Sequence, residues 1–485
     1  MESFTLPILI VGAGASGLMA AYDLTAAYDL TAARGSSSAN KEVIVLEAGP
    51  EPGGRIRTLK GAPFLHPVEA GAEFIHGNMP ITLGLLHEAG IEYRAVKGNM
   101  CEFRNGKWVR GPQSSADQSS ADQSSADQSS AGQSSRVWDE LMQKMEQLEQ
   151  DMPLASFLES LTEEKFREAG RSMRRFAEGF DLADPKTVST RYLYREWQQE
   201  DEDQYRIVGG YARLIDHLIE VCKRRGCRIH TSAQVTDLHW QQGRVQIRTA
   251  DGREFTGSKA IITVSPAILQ LTAPNASAAP NASAAPNASA APTIPTAPAA
   301  IRFSPSLDDH IRAAGKLGFG TVTKIFLQFT EAFWNGTDDQ LGFIFSDKVV
   351  PTWWTQCPDP YPLLTGWVPG AVMKECKPMT TEEWISHSLS SLASMFGMDV
   401  TALRGRLTAA TVLDWTAEPF IRGGYSFDTL ESVAAKYVLN QPIENTLYFG
   451  GEALYEGPAP GTVEAALANG RSVAAKILLD WSLHS

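Results

Sequence analysis

Cysteine is scarce in this chain, and basic residues are outnumbered by acidic ones. The five cysteines (Cys101, Cys222, Cys227, Cys357 and Cys376) are odd in number, and no pair has the spacing of a zinc site or a redox motif. That speaks against a disulfide-stapled scaffold and for buried, reduced thiols. Lys and Arg number 43 against 56 Asp and Glu, a net charge of −13. The basic footprint that non-specific nucleic-acid binding needs is therefore missing, and the acidic balance suits a cationic small molecule. The first apolar run, "PILIVGAGASGL", is broken by glycines and has no basic segment before it. It reads as a strand and turn rather than a signal peptide or membrane span. Sequons at Asn275, Asn281, Asn287 and Asn335 would matter only in a secretory compartment. The expectation is a cytoplasmic protein with neither a membrane nor a nucleic-acid partner. A Ser-His-Asp constellation and a metal-ligand cluster are lacking too.

What is there is an ordinary globular composition, 43% hydrophobic and 20% charged over 485 residues. It allows two or three domains and a large core. Three segments repeat themselves. AAYDLT is doubled within "VGAGASGLMAAYDLTAAYDLTAAR", SSADQ recurs over 114–135 with one SSAGQ copy, and APNASA recurs around 273–292. Periods this short cannot build a stacked repeat, which takes roughly 20–50 residues per unit. The second and third read as disordered surface loops with too little apolar surface to offset ordering entropy.

Between the repeats, residues 7–12 and 41–47 read as strands flanking a helix, and 137–185 as helical. Residues 209–226 form an amphipathic helix pattern, followed by short strands to about residue 264. "KLGFGTVTKIFLQF" (316–329) alternates like a strand, "FWNG" and "PTWWTQC" follow, and a helix is expected near 380–397. The end reads as a strand, a glycine-rich loop and a long helix. Strand–helix alternation at both ends of the chain points to an α/β fold with other material inserted.

"ILIVGAGASGL" sets Gly12, Gly14 and Gly17 in a GxGxxG turn after an apolar run and before a helical pattern. The first glycine makes the tight turn, the second admits a pyrophosphate, and the third lets helix and strand pack closely. A lone motif of this kind also arises for packing alone. Here the next strand, "VIVLE", ends in Glu47, whose carboxylate can accept from ribose hydroxyls. Glu47 lies 35 residues after Gly12, further than the usual ~20. Six helical residues advance by about 240°, so a copied hexamer cannot preserve an apolar face by simple extension. The copy lies beyond the glycines, where it should lengthen the helix or bulge past it, with "GSSSAN" absorbing the offset. After Glu47, "AGPEPGGRIRT" places Gly53, Gly54 and Arg55 in a second loop suited to pyrophosphate. A glutamate followed by a GGR loop is not a nicotinamide-dehydrogenase pattern.

These residues resemble the flavin-dependent amine oxidases, the group of monoamine oxidases, polyamine oxidases and flavin-type histone-lysine demethylases. The likeness extends over most of the chain outside the expansions. It implies a Rossmann-like FAD-binding domain with an inserted α+β substrate domain. The FAD-binding domain would comprise 1–90, 206–300 and 417–485, and the substrate domain 91–205 and 301–416, with low-complexity loops at 114–135 and 273–300. "VEAGAEFIHGNMPITLGLLHEAGI" is similar to the polyamine-oxidase version of a flavin-contacting segment. By that resemblance Gly71 and Ala72 lie against the ring and His76 at the substrate cavity; as plain sequence His76 is a turn histidine. "TSAQVTDL" resembles the strand whose Val235 backbone meets the adenine. "GFGTVTKIFLQF" resembles the strand whose lysine reaches the flavin, here Lys324; otherwise it would be an outward edge charge. "LDWTAEPFIRGGYSF" supplies Trp415 and the cage residue Tyr425, which could equally be core aromatics. "FGGEALYEGPAPGTVEAALANG" is similar to the C-terminal flavin motif. There Glu452 would bind the ribityl or phosphate region, and Thr462 and Val463 open a helix facing the pyrimidine end, where its dipole favours negative charge.

Two departures stand out. Where covalent monoamine oxidases carry a cysteine before the cage tyrosine, this chain has Gly424, so FAD should be held non-covalently. The second cage aromatic would fall near Pro458 or Ala459, so one wall is missing or supplied from elsewhere. A bulkier or longer amine than an aryl amine is thereby favoured. The implied reaction is hydride transfer from a neutral amine to flavin, with O2 as electron acceptor giving H2O2. Two rivals stand beside it. One is a related flavoenzyme, such as an L-amino-acid oxidase, which needs a cavity arginine, or a desaturase, which does not need Lys324. The other is a non-catalytic flavin-binding scaffold.

Overall fold

Four short β-rich stretches, "ILIV", "VIVL", "KAII" and "LYF", are buried along their whole length, as a parallel sheet covered on both faces requires. In the computed structural model, which describes residues 6–33, 42–110, 130–198, 203–271, 300–336 and 340–484, they form one sheet. Its order is Arg228–His230, Val43–Leu46, Ile8–Val11, Lys259–Ile262, Leu447–Phe449, and every pairing is parallel. Side chains alternate across the first strand. Ile8 and Ile10 pack with Leu18, Leu214 and Ile477 from the helices Ala15–Ala33, Ala212–Arg224 and Val463–His484. Leu9 and Val11 pack toward Val235, Ile247 and Leu439 on the other face. That face carries a four-stranded sheet, Glu254–Gly257, Arg244–Thr249, Val235–Gln241 and Arg302–Ser304.

The doubled hexamer lengthens the opening helix, which runs unbroken from Ala15 to Ala33. Its copies meet different surroundings, as the rotation demands. Tyr22 reaches Glu88 at 2.8 Å and Asp23 pairs with Arg471 at 3.3 Å. Tyr28 is buried in the core, and Asp29 lies 3.7 Å from Arg225. The segment expected to absorb the offset falls outside the described residues.

A second, seven-stranded sheet has the order Leu407–Asp414, Val322–Phe329, Leu363–Pro369, Thr352–Trp354, Leu341–Ser346, Asn99–Arg104, Lys107–Arg110. It is antiparallel except where Leu341–Ser346 pairs with Asn99–Arg104. The strand Val322–Phe329 was expected to alternate between core and solvent. Instead all eight residues are buried, because it lies inside the sheet with both faces covered. Ile325, Leu327 and Phe329 pack with Trp384, Leu389 and Leu392 of the helix Thr381–Phe396. Phe326, two positions from Lys324 and therefore on the same face, meets Phe64, Val68 and Ala70. Lys324 is thus no edge charge.

The helical run expected over 137–185 is broken into Ser130–Glu146, Leu154–Ser160 and Phe166–Gly179. Pro153 stands at the N-cap of the second and cannot continue the first. The low-complexity boundary also moves. From Ser130 the SSAGQ copy belongs to a helix, nucleated by the amphipathic "VWDELMQKME" after it. The rest of that repeat, and nearly all of 273–300, lie outside the described residues. Among the described residues no helix is long and apolar enough to cross a membrane.

Candidate active site

A cavity of about 2350 Å³ runs between the C-terminal ends of the parallel strands and the seven-stranded sheet. Of the residues singled out from sequence, Gly12, Gly14, Glu47, Gly54, Arg55, Gly71, Ala72, His76, Val235, Lys324, Trp415, Tyr425, Glu452, Thr462 and Val463 all line it. Gly17 does not. A β-carbon there would collide with the Gly12 carbonyl, so its place is the contact between helix and strand.

At the glycine end, Gly12 turns the chain with φ +106°, a conformation that side chains resist. An added β-carbon at Gly14 or at Gly451 would meet no atom within 4 Å, so both backbones open straight onto the cavity. Glu47 accepts from the amides of Ala13 and Gly49, each at 2.8 Å. Burial raises its carboxyl above the usual range, and those amides oppose the rise. Each oxygen retains a lone pair for a further donor. Glycine floor, acidic acceptor and the buried Val235 together fit a dinucleotide.

Arg55 ties three remote segments together. Its Nη1 donates to Gly424 O and to Glu452 Oε2, both at 2.8 Å. The other oxygen of Glu452 accepts from the Ser426 amide at 2.8 Å and from the Ser426 hydroxyl. Glu452 therefore braces the arginine beside the cavity. The closing helix begins at Val463, and Thr462 Oγ1 accepts from the Ala465 amide at 3.2 Å as its cap. Glu464, which the sequence reading passed over, accepts from the Ile81 and Thr82 amides at 2.8 Å and from the Thr82 hydroxyl at 2.7 Å. It thereby caps the helix Pro80–Glu88.

The other end of the cavity is aromatic, with the Lys324 ammonium set among the rings. Lys324, its side chain 2% exposed, donates to Glu69 O at 2.7 Å, Gly71 O at 3.1 Å and Glu73 Oε2 at 3.2 Å. Those three bonds use the full donor capacity of an ammonium. Burial lowers its pKa, and the Glu73 carboxylate raises it in return. Trp415 is buried, donates to Ala70 O at 3.0 Å and carries the Arg57 guanidinium 5.0 Å above its ring. Tyr425 donates to Phe180 O. His76 sits 5.9 Å edge-on from Phe180, and burial lowers its pKa to about 4, so the imidazole is neutral at pH 7.

Neither Pro458 nor Ala459 supplies an aromatic wall, although both line the cavity. Trp367, from the seven-stranded sheet, stacks beside Tyr425 instead, with centroids 6.3 Å apart and planes at 24°. Trp354 and Phe74 continue the wall at 5.9 and 5.7 Å steps. Asp181, accepting from Trp197 Nε1 at 3.0 Å, and Glu196 add acidic groups to the lining. The sequence reading noted "PTWWTQC" without giving it a role, and nothing in the spacing linked Glu73, Trp354 or Asp181 to Lys324. Among the described residues no group of three or more His, Cys, Asp or Glu could hold a metal.

Comparisons with known proteins bear on the family and the fold. Rice (Oryza sativa subsp. japonica) polyamine oxidase 4 is 24% identical over 96% of this chain and 87% of its own length. Mouse (Mus musculus) lysine-specific histone demethylase 1B is also 24% identical, over 97% of this chain but 52% of the demethylase. The chain thus spans about half the length of that demethylase and of its human (Homo sapiens) counterpart, lysine-specific histone demethylase 2, of which it covers 53%. Cyclohexylamine oxidase from Brevibacterium oxydans IH-35A superposes with a TM-score of 0.74 at 18% identity, covering 99% of this chain and all (100%) of that one. Putrescine oxidase bound to putrescine superposes at 0.72 and 18% identity, covering 98% and 99% of the two chains. The sequence pattern of the flavin containing amine oxidoreductases matches residues 15–478, more than half of the chain, and to that family this chain belongs.

Proposed function

We propose that the protein is an FAD-dependent amine oxidase whose substrate is a primary or secondary amine with a second cationic centre, a polyamine-like molecule. Bound FAD supplies the hydride acceptor and, through O2, the route to H2O2. Gly12, Gly14, Glu47 and Val235 receive its dinucleotide portion, and Gly71, Ala72, Thr462 and Val463 surround its ring end. It is held non-covalently. Position 424 offers no thiol, and a β-carbon there would press on Leu182.

The observation that carries the reading is a buried ammonium, Lys324, on the cavity wall beside the Trp354 ring. The stacked Tyr425 and Trp367 rings, with neutral His76 nearby, form an apolar enclosure that disfavours an ammonium substrate. They so favour the neutral amine, whose lone pair assists loss of hydride. Asp181 and Glu196, further along the same lining, offer carboxylates to a distal ammonium. An amino-acid substrate would need a cavity arginine free for its carboxylate, and among those lining the cavity Arg55 pairs with Glu452 and Arg57 with Glu418, each at 2.8 Å. Arg104 pairs with Glu168 at 2.9 Å and with Glu102 at 2.9 Å, and Arg175 lies 3.9 Å from Glu168.

The test is peroxide release by the FAD-loaded protein across diamines, polyamines, aryl amines and amino acids. Turnover is expected with diamines or polyamines, and Lys324→Met should retain flavin while slowing turnover by about 10²-fold or more. Turnover of amino acids alone would move the reading to an amino-acid oxidase. No flavin bleaching with any of these compounds would reduce the protein to a flavin-binding scaffold.

A further inference from the structure

The Lys324 ammonium sits in a buried charge cluster that the family resemblance does not describe. Glu73 Oε2 accepts from Lys324 at 3.2 Å, while Glu73 Oε1 accepts from Arg206 Nε at 3.1 Å and Trp354 Nε1 at 2.9 Å. Its side chain is 4% exposed. Arg206 is anchored in turn by the carbonyls of Cys357 at 3.0 Å and Thr355 at 2.9 Å. The four side chains come from four places. Glu73 precedes the two-residue strand Ile75–His76, Arg206 lies on Gln204–Ile207, Lys324 on Val322–Phe329 and Trp354 on Thr352–Trp354.

We propose that Glu73 is a positioning residue for Lys324: its carboxylate joins the ammonium to the fixed Arg206–Trp354 pair and so sets where the cation stands on the cavity wall. The inference rests on the reading of Lys324 as the cation presented to flavin. A buried carboxylate bridging two cations is not needed to fill space, and it would be costly unless each oxygen were satisfied. Here both are. The indole is the selective element, because its N–H fixes one oxygen of Glu73 and leaves the other for the lysine. The same indole stands 5.2 Å beneath the ammonium. The charged groups facing Lys324 are Glu73, Glu69 and Arg206. Glu69 is itself held by the Tyr211 amide at 2.6 Å and the Thr58 hydroxyl at 2.9 Å. Glu73 is thus the carboxylate in direct contact with the ammonium, and removing its charge leaves Lys324 with two carbonyls, the more distant Glu69 and the repelling Arg206. Protonated lysine is then held less firmly, so its titration moves to lower pH.

The experiment follows the ε-carbon resonance of Lys324 against pH in protein labelled with 13C-lysine, assigned by its loss in Lys324→Met. This readout needs neither amine nor flavin. The amine-oxidase reading can therefore fail in the peroxide assay while this inference stands, and the reverse. In Glu73→Gln the midpoint is expected to fall by about one pH unit or more, about tenfold in proton affinity. Glu73→Asp should restore part of it, and Trp354→Phe should shift it in the same direction by less. In the FAD-loaded protein, oxygen reoxidation after chemical reduction should lose rate at correspondingly lower pH. An unchanged Lys324 midpoint in folded Glu73→Gln overturns the proposal. Should that variant not fold, wild-type midpoints in both Glu73→Asp and Trp354→Phe overturn it equally.

Discussion

Gly14 and His76 show how far single side chains are set by the cavity they face. No protein atom lies within 4 Å of a β-carbon placed on Gly14, so a larger residue there projects into the cavity without disturbing the fold. Gly14→Val is expected to leave the stability of the cofactor-free protein within about 0.5 kcal/mol and to abolish flavin retention, checked by denaturant unfolding beside absorbance after gel filtration. His76 gives a pH dependence of definite sign. Its folded pKa is lowered to about 4 by burial, against an ordinary value near 6.5. The unfolded chain therefore binds the proton more readily, and stability is lost as pH falls from about 6.5 toward 4. His76→Asn should remove up to about 3 kcal/mol of that acid-side loss, measured as unfolding free energy at a series of pH values.

Among the elements, the opening helix separates what is needed for a site from what is needed for a core. The glycine turn ends by Gly17, and the second hexamer begins at Ala26, about two and a half helical turns further on. Deleting Ala26–Thr31 removes the buried Tyr28 and the Asp29–Arg225 approach while leaving Gly12 to Thr25 in place. The expected result is unchanged flavin affinity with a loss of about 2–4 kcal/mol of stability, read by flavin titration and denaturant melts of the deletion variant. A deletion that abolished flavin binding would mean that the far end of the helix supports the turn. The central strand Val322–Phe329 carries the complementary lesson. Its lysine looked like a candidate for a solvent-facing position because the pattern alternates. Only its place between Leu363–Pro369 and Leu407–Asp414, with Phe64 and Val68 above it, shows that both faces are dry.

For the molecule as a whole, the glycine-floored end of the cavity was legible because its signal is local. Gly12, Gly14 and Gly17 sit within one turn, and Glu47 closes the next strand. The parallel sheet could likewise be anticipated from strand–helix alternation at the two ends of the chain. The cation cluster was not legible. Glu73, Arg206, Lys324 and Trp354 are separated by 133, 251 and 281 positions along the chain as measured from Glu73, and no spacing rule links residues that meet only after two sheets have formed. Trp367 was hidden for the same reason. A search for the missing aromatic wall within the C-terminal motif could not find a ring contributed by another sheet. The break between Glu146 and Leu154 was readable in principle from Pro153, whose effect on the preceding turn is steric and local.

One consequence follows from the strand order of the parallel sheet. Its outermost member, Leu447–Phe449, is made long after the Lys259–Ile262 strand that it covers, so a growing polypeptide carries that apolar border bare through the making of almost two hundred further residues. A ribosome stalled before Leu447 would leave a ready template for intermolecular strand addition, which makes the strand Leu447–Phe449 a safeguard against aggregation.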